Sequence, residues 1–165
     1  MALIRKRALQ PEPAAAQSGA LLEVGFERWL IEREALLREG GPLALRVSGG
    51  DDLAPLAGDL ARFAMVVLDF ASFNDGRGLS QARLLRDYYG YAGELRATGA
   101  LLPDQLRELE RCGVDSVDFL DESRLAAALA SYGEIDVAAQ PASDGGTLLF
   151  RRRFGAEQPQ EEAPS

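Results

Sequence analysis

An Asp-Gly-Arg-Gly turn stands directly before an arginine-rich helical segment in the stretch FNDGRGLSQARLLRDYYGY, residues 73–91. Gly76 and Gly78 allow close backbone approach and positive φ. Ser80 is suited to cap the following helix, whose free N–H groups would favour an anion, and Arg77 offers a planar, bidentate donor. The stretch therefore predicts a site for sulfate, phosphate or a carboxylate. Its residues would be Asp75, Gly76, Arg77, Gly78, Ser80, Arg83 and Arg96.

Two other interpretations of the same stretch stay open. Asp-Gly is a common turn pair, and the serine after it can simply cap a helix. Ala82, Leu85 and Tyr89 form an apolar stripe, which leaves Arg83 and Arg86 on a solvated face. The turn is then an ordinary helix start, or part of a surface that docks a partner.

A second polar feature is the strand-like segment GELRATG, residues 93–99, in which Glu94, Arg96 and Thr98 alternate onto one side. A charged pair in the middle of a parallel strand needs partners, because an unpaired buried charge costs several kcal/mol. The segment therefore predicts an internal salt-bridge network or a ligand pocket. The candidate partners of Arg96 are Asp69, Asp75 and Asp118. The carboxylates that would line a pocket are Asp69, Glu94 and Asp118.

The reactive residue types are few. The chain has no histidine, which excludes a Ser-His-Asp arrangement and an imidazole metal site formed by its own residues. Cys112 is its one cysteine, placed at a helix C-terminus where the dipole disfavours a thiolate, and we expect a small buried residue there. Asp115 and Asp118 are three residues apart and would not share a strand face. We assign no catalytic residue and expect no metal and no cofactor, although backbone groups and arginines can also hold a flavin.

These residues lie between alternating strand and helix signals. Apolar periodicity and Gly or Pro punctuation predict helices at 24–41, 51–63, 79–89, 101–113 and 122–133, with strands at 43–48, 64–70, 93–99 and 116–120. Two further strands around an SDGG turn predict a C-terminal β-hairpin. The pattern predicts an α/β fold: a single domain of repeated βα units with a mainly parallel sheet. An open sheet is favoured over a barrel fragment, which would expose two edges.

Composition and charge indicate where the folded domain begins and ends and which partners are disfavoured. Residues 9–20 and 155–165 are rich in Pro, Gln, Ala and acid, so we expect a poorly ordered N-terminal segment at 1–20, a domain at 21–154 and a disordered acidic tail. A short strand at 3–7 is compatible with the N-terminal segment. The net charge of −8 disfavours nucleic acid. No apolar run reaches the roughly 20 residues of a membrane span, and we expect a cytoplasmic protein.

The stretch FNDGRGLSQARLLRDYYGYAGELRATGALLPDQLRELERCGVDSVDF resembles the bacterial domain-of-unknown-function family nine-three-four, through the motifs DGRG, ARLLR, GELRA, DQL and RCGxD. The resemblance covers residues 43–120. It implies a role in sulfite reduction, so we expect an accessory protein of assimilatory sulfate/sulfite reduction that binds an anion or a larger reductase, such as sulfite reductase. The residues expected to dock that partner are Asp104, Gln105 and Arg86. The alternative is a small α/β enzyme, or an anion- or flavin-binding oxidoreductase, with its site at the carboxyl edge of the sheet.

Overall fold

The structure is a computed structural model that describes residues 2–5, 8–10, 21–119 and 129–130. The predicted C-terminal hairpin and the acidic tail lie outside the described residues. Of the predicted helix at 122–133, residues 129 and 130 are described, and both are helical.

The described residues form seven strands, three α-helices and several single turns. The strands are β1 (Ala2–Arg5), β2 (Ala8–Gln10), β3 (Leu22–Gly25), β4 (Leu43–Ser48), β5 (Phe63–Phe70), β6 (Glu94–Gly99) and β7 (Ser116–Phe119). The α-helices are α1 (Phe26–Glu39), α2 (Arg77–Arg83) and α3 (Leu106–Arg111). The shorter turns are 3-10 turns at Ala54–Leu56, Leu60–Arg62 and Pro103–Gln105, and a π turn at Leu84–Tyr88.

All seven strands join one open sheet in the order β2-β1-β7-β6-β5-β4-β3. Strands β3 to β7 are parallel and lie side by side in chain order. The α/β prediction with a mainly parallel sheet is therefore confirmed. Every crossover moves one strand in the same direction, so right-handed connections place the connecting helices on the same face.

The main core lies between that face and the helices. Trp29 of α1, Leu85 of the π turn and Leu109 of α3 belong to one buried cluster with strand residues such as Leu45 and Leu95. The strand residues that alternate with these point to the other face. There, Ala44, Met65 and Val67 form a separate small cluster, surrounded by charged side chains.

The N-terminal segment extends the sheet. Strand β1 pairs antiparallel with β7, and β2 pairs antiparallel with β1. Ile4 is 1% exposed and packs in the main core. The strand proposed at 3–7 thus overlaps β1. The second strand, β2, was not predicted, because a three-residue strand inside a polar, proline-rich segment carries no periodic signal.

The helix predicted at 51–63 is wrong. The structure has two 3-10 turns there, Ala54–Leu56 and Leu60–Arg62. Pro55 lacks the N–H that a continuous helix would require, and Gly58 follows it closely. A salt bridge anchors this crossover instead. The Nε and Nη2 atoms of Arg33 donate to the two carboxylate oxygens of buried Asp59 at 2.5 and 2.6 Å.

Candidate functional site

Arg86 makes four hydrogen bonds to other segments of the motif-bearing stretch. Its Nε donates to Gly113 O at 3.0 Å, and its Nη1 donates to Gly93 O at 2.9 Å and to Tyr91 O. Its Nη2 donates to Asp115 Oδ2 at 2.6 Å. The side chain is 17% exposed, and its guanidinium carbon lies 5.6 Å from the centroid of the Tyr91 ring. We call Arg86 and these four partners the Arg86 cluster.

The glycines of the Arg86 cluster are required sterically. Gly113 has φ +89°, and a Cβ there would lie 2.5 Å from Arg86 Cγ. A Cβ at Gly93 would collide with the Tyr91 ring. Burial raises the pKa of Tyr91 to about 12, and its hydroxyl donates to Phe63 O at 3.0 Å. A larger residue at either glycine would therefore displace the arginine or the tyrosine.

The Arg86 cluster lies at the amino edge of the parallel sheet. Gly93 directly precedes β6, Asp115 directly precedes β7, and Gly113 lies in the turn two residues earlier. Ligands of open α/β sheets usually bind at the opposite, carboxyl edge. The position of the cluster therefore favours a structural role.

The DGRG turn lies at the carboxyl edge and closes on itself. The Nε and Nη2 atoms of Arg77 donate to the Oδ1 and Oδ2 atoms of Asp75 at 2.8 and 2.6 Å. Asp75 Oδ1 also accepts the backbone N–H of Arg77 at 3.1 Å. These bonds hold the pKa of Asp75 down at about 2. The positive charge of Arg77, which the sequence analysis assigned to an anion, is thus paired with the carboxylate of Asp75, two residues before the start of α2.

The two glycines of this turn differ from the prediction of positive φ. Gly76 has φ −71° and no neighbour within 4 Å of an added Cβ. Gly78 lies inside α2, where a Cβ would come within 2.5 Å of the Phe70 ring. Of the two glycines, only Gly78 is required by the close approach of a neighbour, the Phe70 ring. Ser80 is not the N-cap, because α2 begins at Arg77 and the serine lies in its first turns.

The structure separates Arg96 from the other residues of the predicted anion site. Arg77 and Arg83 belong to α2, on the helix-bearing face of the sheet. The Nε of Arg83 lies 3.6 Å from Oδ2 of Asp87. Arg96 alternates with the core residues Leu95 and Ala97 and therefore faces the other side. Arg77 and Arg96 consequently do not converge on one ligand position.

Arg96 takes part in a polar network on that second face. Its Nη2 donates to Glu94 Oε1 at 3.0 Å and its Nε to Ser116 Oγ at 3.3 Å, while Ser116 Oγ donates to Glu94 Oε1 at 2.7 Å. The sequence predicted Asp69, Asp75 or Asp118 as partners. Glu94 is a partner that was not among these three, and it lies two residues away on the same strand face.

The remaining pocket carboxylates share this face. Asp69, Thr98 and Asp118 are side by side in the register of β5, β6 and β7. Asp69 accepts Nη1 of Arg46 at 3.1 Å, and the Nε of Arg46 donates to Glu23 at 2.6 Å. The face therefore carries an ionic network, as one of the two sequence interpretations predicted. The described residues contain no group of three or more acidic, His or Cys side chains that could hold a metal ion.

Two of the three predicted docking residues have structural contacts. Gln105 Oε1 accepts the N–H of Leu102 at 2.9 Å, and its Nε2 donates to Phe73 O at 2.8 Å. It thereby fastens the start of the α3 segment to the loop before DGRG. Arg86 belongs to the Arg86 cluster. Asp104 is exposed.

Cys112 is 6% exposed, as predicted. Burial, with a smaller contribution from Glu108, raises the pKa of its thiol. Both effects disfavour the thiolate.

Sequence reasoning missed two kinds of residue. Gln81 is 7% exposed and donates through Nε2 to Asp51 O at 2.9 Å, so it fastens α2 to the loop after β4. Leu84 and Tyr88, four residues apart on the π turn, are 39% and 76% exposed. Their exposure was detectable from the helical spacing, since both lie off the stripe formed by Ala82, Leu85 and Tyr89.

Residues 44–150 match the family described as Bacterial protein of unknown function (DUF934), a match over more than half of the 165 residues. The chain belongs to the DUF934 family. No curated protein matches the chain. The contacts show how several motifs of this DUF934 chain depend on one another. ARLLR supplies Arg86, GELRA supplies Gly93, and RCGxD supplies Gly113 and Asp115.

Other DUF934 motifs meet elsewhere. DQL supplies Gln105, which bonds to the residue before NDGRG.

Within the ranges that the structure describes, no helix is long and apolar enough to span a bilayer.

Proposed function

We propose that this DUF934 chain is an accessory protein of assimilatory sulfate/sulfite reduction that acts by binding a larger reductase and is not a catalyst on its own. The observation that carries the proposal is that the turn at Leu84–Tyr88 directs some side chains inward and others to solvent. Its arginine, Arg86, is directed inward and bonded to four groups, while Leu84 and Tyr88 of the same turn are exposed. A turn held this rigidly presents apolar groups to solvent in a fixed geometry.

The exposed groups suit protein contact. Tyrosine supplies a large, stiff contact area at low entropic cost, and interface hot spots are enriched in it. The Tyr88 ring is further held by an edge-on contact with Tyr89, with centroids 5.0 Å apart. We therefore place the docking surface on Leu84 and Tyr88. Asp104 stays a separate docking candidate, because it lies at the start of the α3 segment, at the opposite end from Gly113 and the Arg86 cluster. Arg86 supports this surface from within, whereas Gln105 fastens the start of the α3 segment to the loop before α2.

The chemistry of the motif groups also supports a binding role. The one thiol is buried with a raised pKa, and the chain has no histidine to act as a base near pH 7. The carboxylates Asp75 and Asp115 are engaged by arginines. These groups stabilise the fold, which suits a protein that presents a fixed surface to a partner.

Affinity purification tests this function. The tagged chain is recovered from its native host grown with sulfate as the sole sulfur source, and the bound proteins are identified by mass spectrometry. We expect a sulfur-assimilation reductase to co-purify with the parent. We expect its recovery to fall about tenfold or more with Leu84→Ser/Tyr88→Ser, since a buried aromatic anchor contributes about 2 kcal/mol. Phe73→Ser, at a half-exposed aromatic residue in the loop before α2, is the control. Recovery of the chain alone, or equal loss in both variants, would contradict the proposal.

One observation favours the alternative, an anion- or flavin-binding site at the carboxyl edge. The Arg77 side chain is 68% exposed, and its Nη1 lies 3.7 Å from where a Cβ of Gly50 would be, so the glycine loop after β4 leaves room beside the guanidinium. Thermal unfolding with sulfate, sulfite, phosphate or flavin mononucleotide, against chloride at equal ionic strength, tests it. A ligand at 100 times its dissociation constant stabilises by about 2.7 kcal/mol. A shift that Arg77→Ala abolishes would support this site, and no specific shift would count against it.

A further inference from the structure

The outward side of α1 carries an apolar residue between opposite charges. Trp29 and Leu36 are 0% and 1% exposed and define the inward side of the helix. At 3.6 residues per turn, Glu27, Ile31 and Arg38 fall in one line on the opposite side. Ile31 is 84% exposed, the largest exposed fraction among the large hydrophobic residues that the structure describes. We call Glu27, Ile31 and Arg38 the outer stripe of α1.

The neighbours of this stripe extend its apolar centre. Leu30 is 48% exposed, and Ala35 is also exposed one turn further along the helix. The charged ends are open to new partners. Arg38 lies 3.9 Å from Glu34, at the outer limit of an ion pair, with both side chains more than three-quarters exposed. Such a pair contributes little and is easily exchanged.

The order of charges along the stripe is self-complementary. When two copies of α1 lie antiparallel about a two-fold axis between Glu32 and Arg33, Glu27 and Arg38 are at equal distances on either side of that axis. Glu27 of each copy then faces Arg38 of the other. The two resulting ion pairs would be separated by about 16 Å, eleven residues at 1.5 Å each. The same axis places Ile31 of the two copies next to each other near the centre.

We propose that the outer stripe of α1 docks the same stripe of a second copy of this chain, antiparallel about a two-fold axis. An isologous contact of this kind needs one patch that is complementary to itself, which the stripe provides. Its apolar area is small and each copy carries a net charge of −8, so the dimer is weak and concentration-dependent. This inference does not depend on the proposed function, since the stripe lies on α1 and the docking surface on the π turn.

Sedimentation equilibrium of the full chain over a wide concentration range tests the contact. The variants are Glu27→Arg, Arg38→Glu and the double charge reversal, with circular dichroism as the check on folding. Either single reversal places like charges opposite each other at both ends, and we expect it to raise the dimer dissociation constant about fivefold or more. The double reversal restores both pairs with the charges exchanged, and we expect it to return the constant to within about twofold of the parent.

Apolar substitutions locate the contact. Ile31→Ser should weaken the dimer, whereas Tyr88→Ser, at a comparably exposed site on another element, should leave it unchanged. A parent that is monomeric at every concentration overturns the proposal. A dimer whose dissociation constant does not change with the single charge reversals also overturns it. So does a dimer whose dissociation constant the double reversal fails to restore. A dimer weakened by Tyr88→Ser and not by Ile31→Ser places the contact on the π turn and overturns it as well.

Discussion

Arg86 and Asp115 are 29 residues apart in the chain, and the Nη2 of the arginine donates to Oδ2 of the aspartate at 2.6 Å. The same oxygen accepts the N–H of Leu95 at 2.9 Å, and the N–H of Asp115 donates to Leu95 O at 2.9 Å. One carboxylate therefore joins the π turn to the amino ends of β6 and β7. Because the other donors of Arg86 bind backbone carbonyls, the contact fixes the path of the chain on both sides of β6.

Arg86→Lys should destabilise the protein although the charge is kept. A lysine has one compact ammonium group, which cannot reach the carbonyls of Gly93 and Gly113 together with Asp115. Half-buried carbonyls left without a donor cost about 1–3 kcal/mol each, so we expect a loss of about 3 kcal/mol in the free energy of unfolding, measured in urea.

Arg83→Lys is the matched control for this variant. Arg83 is on the same helical segment, but it is half exposed and 3.6 Å from Asp87, so the change should cost less than about 0.5 kcal/mol. Equal losses in the two variants would show that the Arg86 cluster is not the source of the stability.

Gly113→Ala tests the steric basis of the Arg86 cluster. The backbone has φ +89°, and the new methyl group would meet Arg86 Cγ at 2.5 Å. A side chain in the left-handed region costs about 1–2 kcal/mol before any clash, so we expect a total above about 2 kcal/mol. The thermal midpoint should fall by about 5 °C or more.

Gly76→Ala is the corresponding control among the motif glycines. Its φ is −71°, and nothing lies within 4 Å of an added Cβ. Removing a glycine at such a position restricts the unfolded chain, so we expect an unchanged or slightly raised midpoint. A large loss at Gly76 would contradict the geometry of the DGRG turn.

Regular periodicity made β4 to β7 and the longest helix predictable, whereas β3 was not predicted and its last two residues were assigned to the helix. The apolar run of β5 and the amphipathic pattern of α1 were sufficient to place both within two residues. The crossover after β4 was not predictable in the same way. Its apolar residues Leu53, Leu56 and Leu60 have helical spacing, but Pro55 prevents a continuous helix. The segment is held instead by the salt bridge between Arg33 and Asp59, which are 26 positions apart in the chain.

The candidate site was predictable only in its residue types. Of the four partners of Arg86, three contribute backbone carbonyls, which have no residue-specific signal in the sequence. Arg86 and Arg83 are also equivalent by type, and only the fold decides that one is inward and the other exposed. By contrast, the alternation of Glu94 and Arg96 on one strand face followed from the two-residue period, which is why the ionic network was among the predictions.

The thiol of Cys112 should react slowly with a disulfide reagent such as dithionitrobenzoate. It is 6% exposed and its pKa is raised by burial, so little thiolate is available and labelling requires local opening. At pH 8 we expect a rate on the order of 100-fold below that of a cysteine peptide, with full reactivity in 6 M guanidinium as the control. Rapid stoichiometric labelling of the folded protein would contradict the neutral, buried assignment.

The ion pair between Asp75 and Arg77 should make stability depend on acidic pH. The pKa of Asp75 is about 2 in the folded protein, against the ordinary value of 3.8, because Arg77 donates to its carboxylate. The unfolded chain therefore binds more protons between these two values, and stability falls as the pH drops through that window. Above about pH 5 the contribution is complete and does not change with pH.

Asp75→Asn isolates this contribution. The variant should be less stable than the parent at pH 7, and the difference in unfolding midpoint should shrink between pH 5 and about pH 2, where the parent carboxylate becomes protonated. Asp104→Asn, at an exposed aspartate, is the control and should show no such convergence. A difference that stays constant across the window would mean that the charge of Asp75 contributes nothing to stability, since the asparagine Oδ1 can still accept the Arg77 N–H.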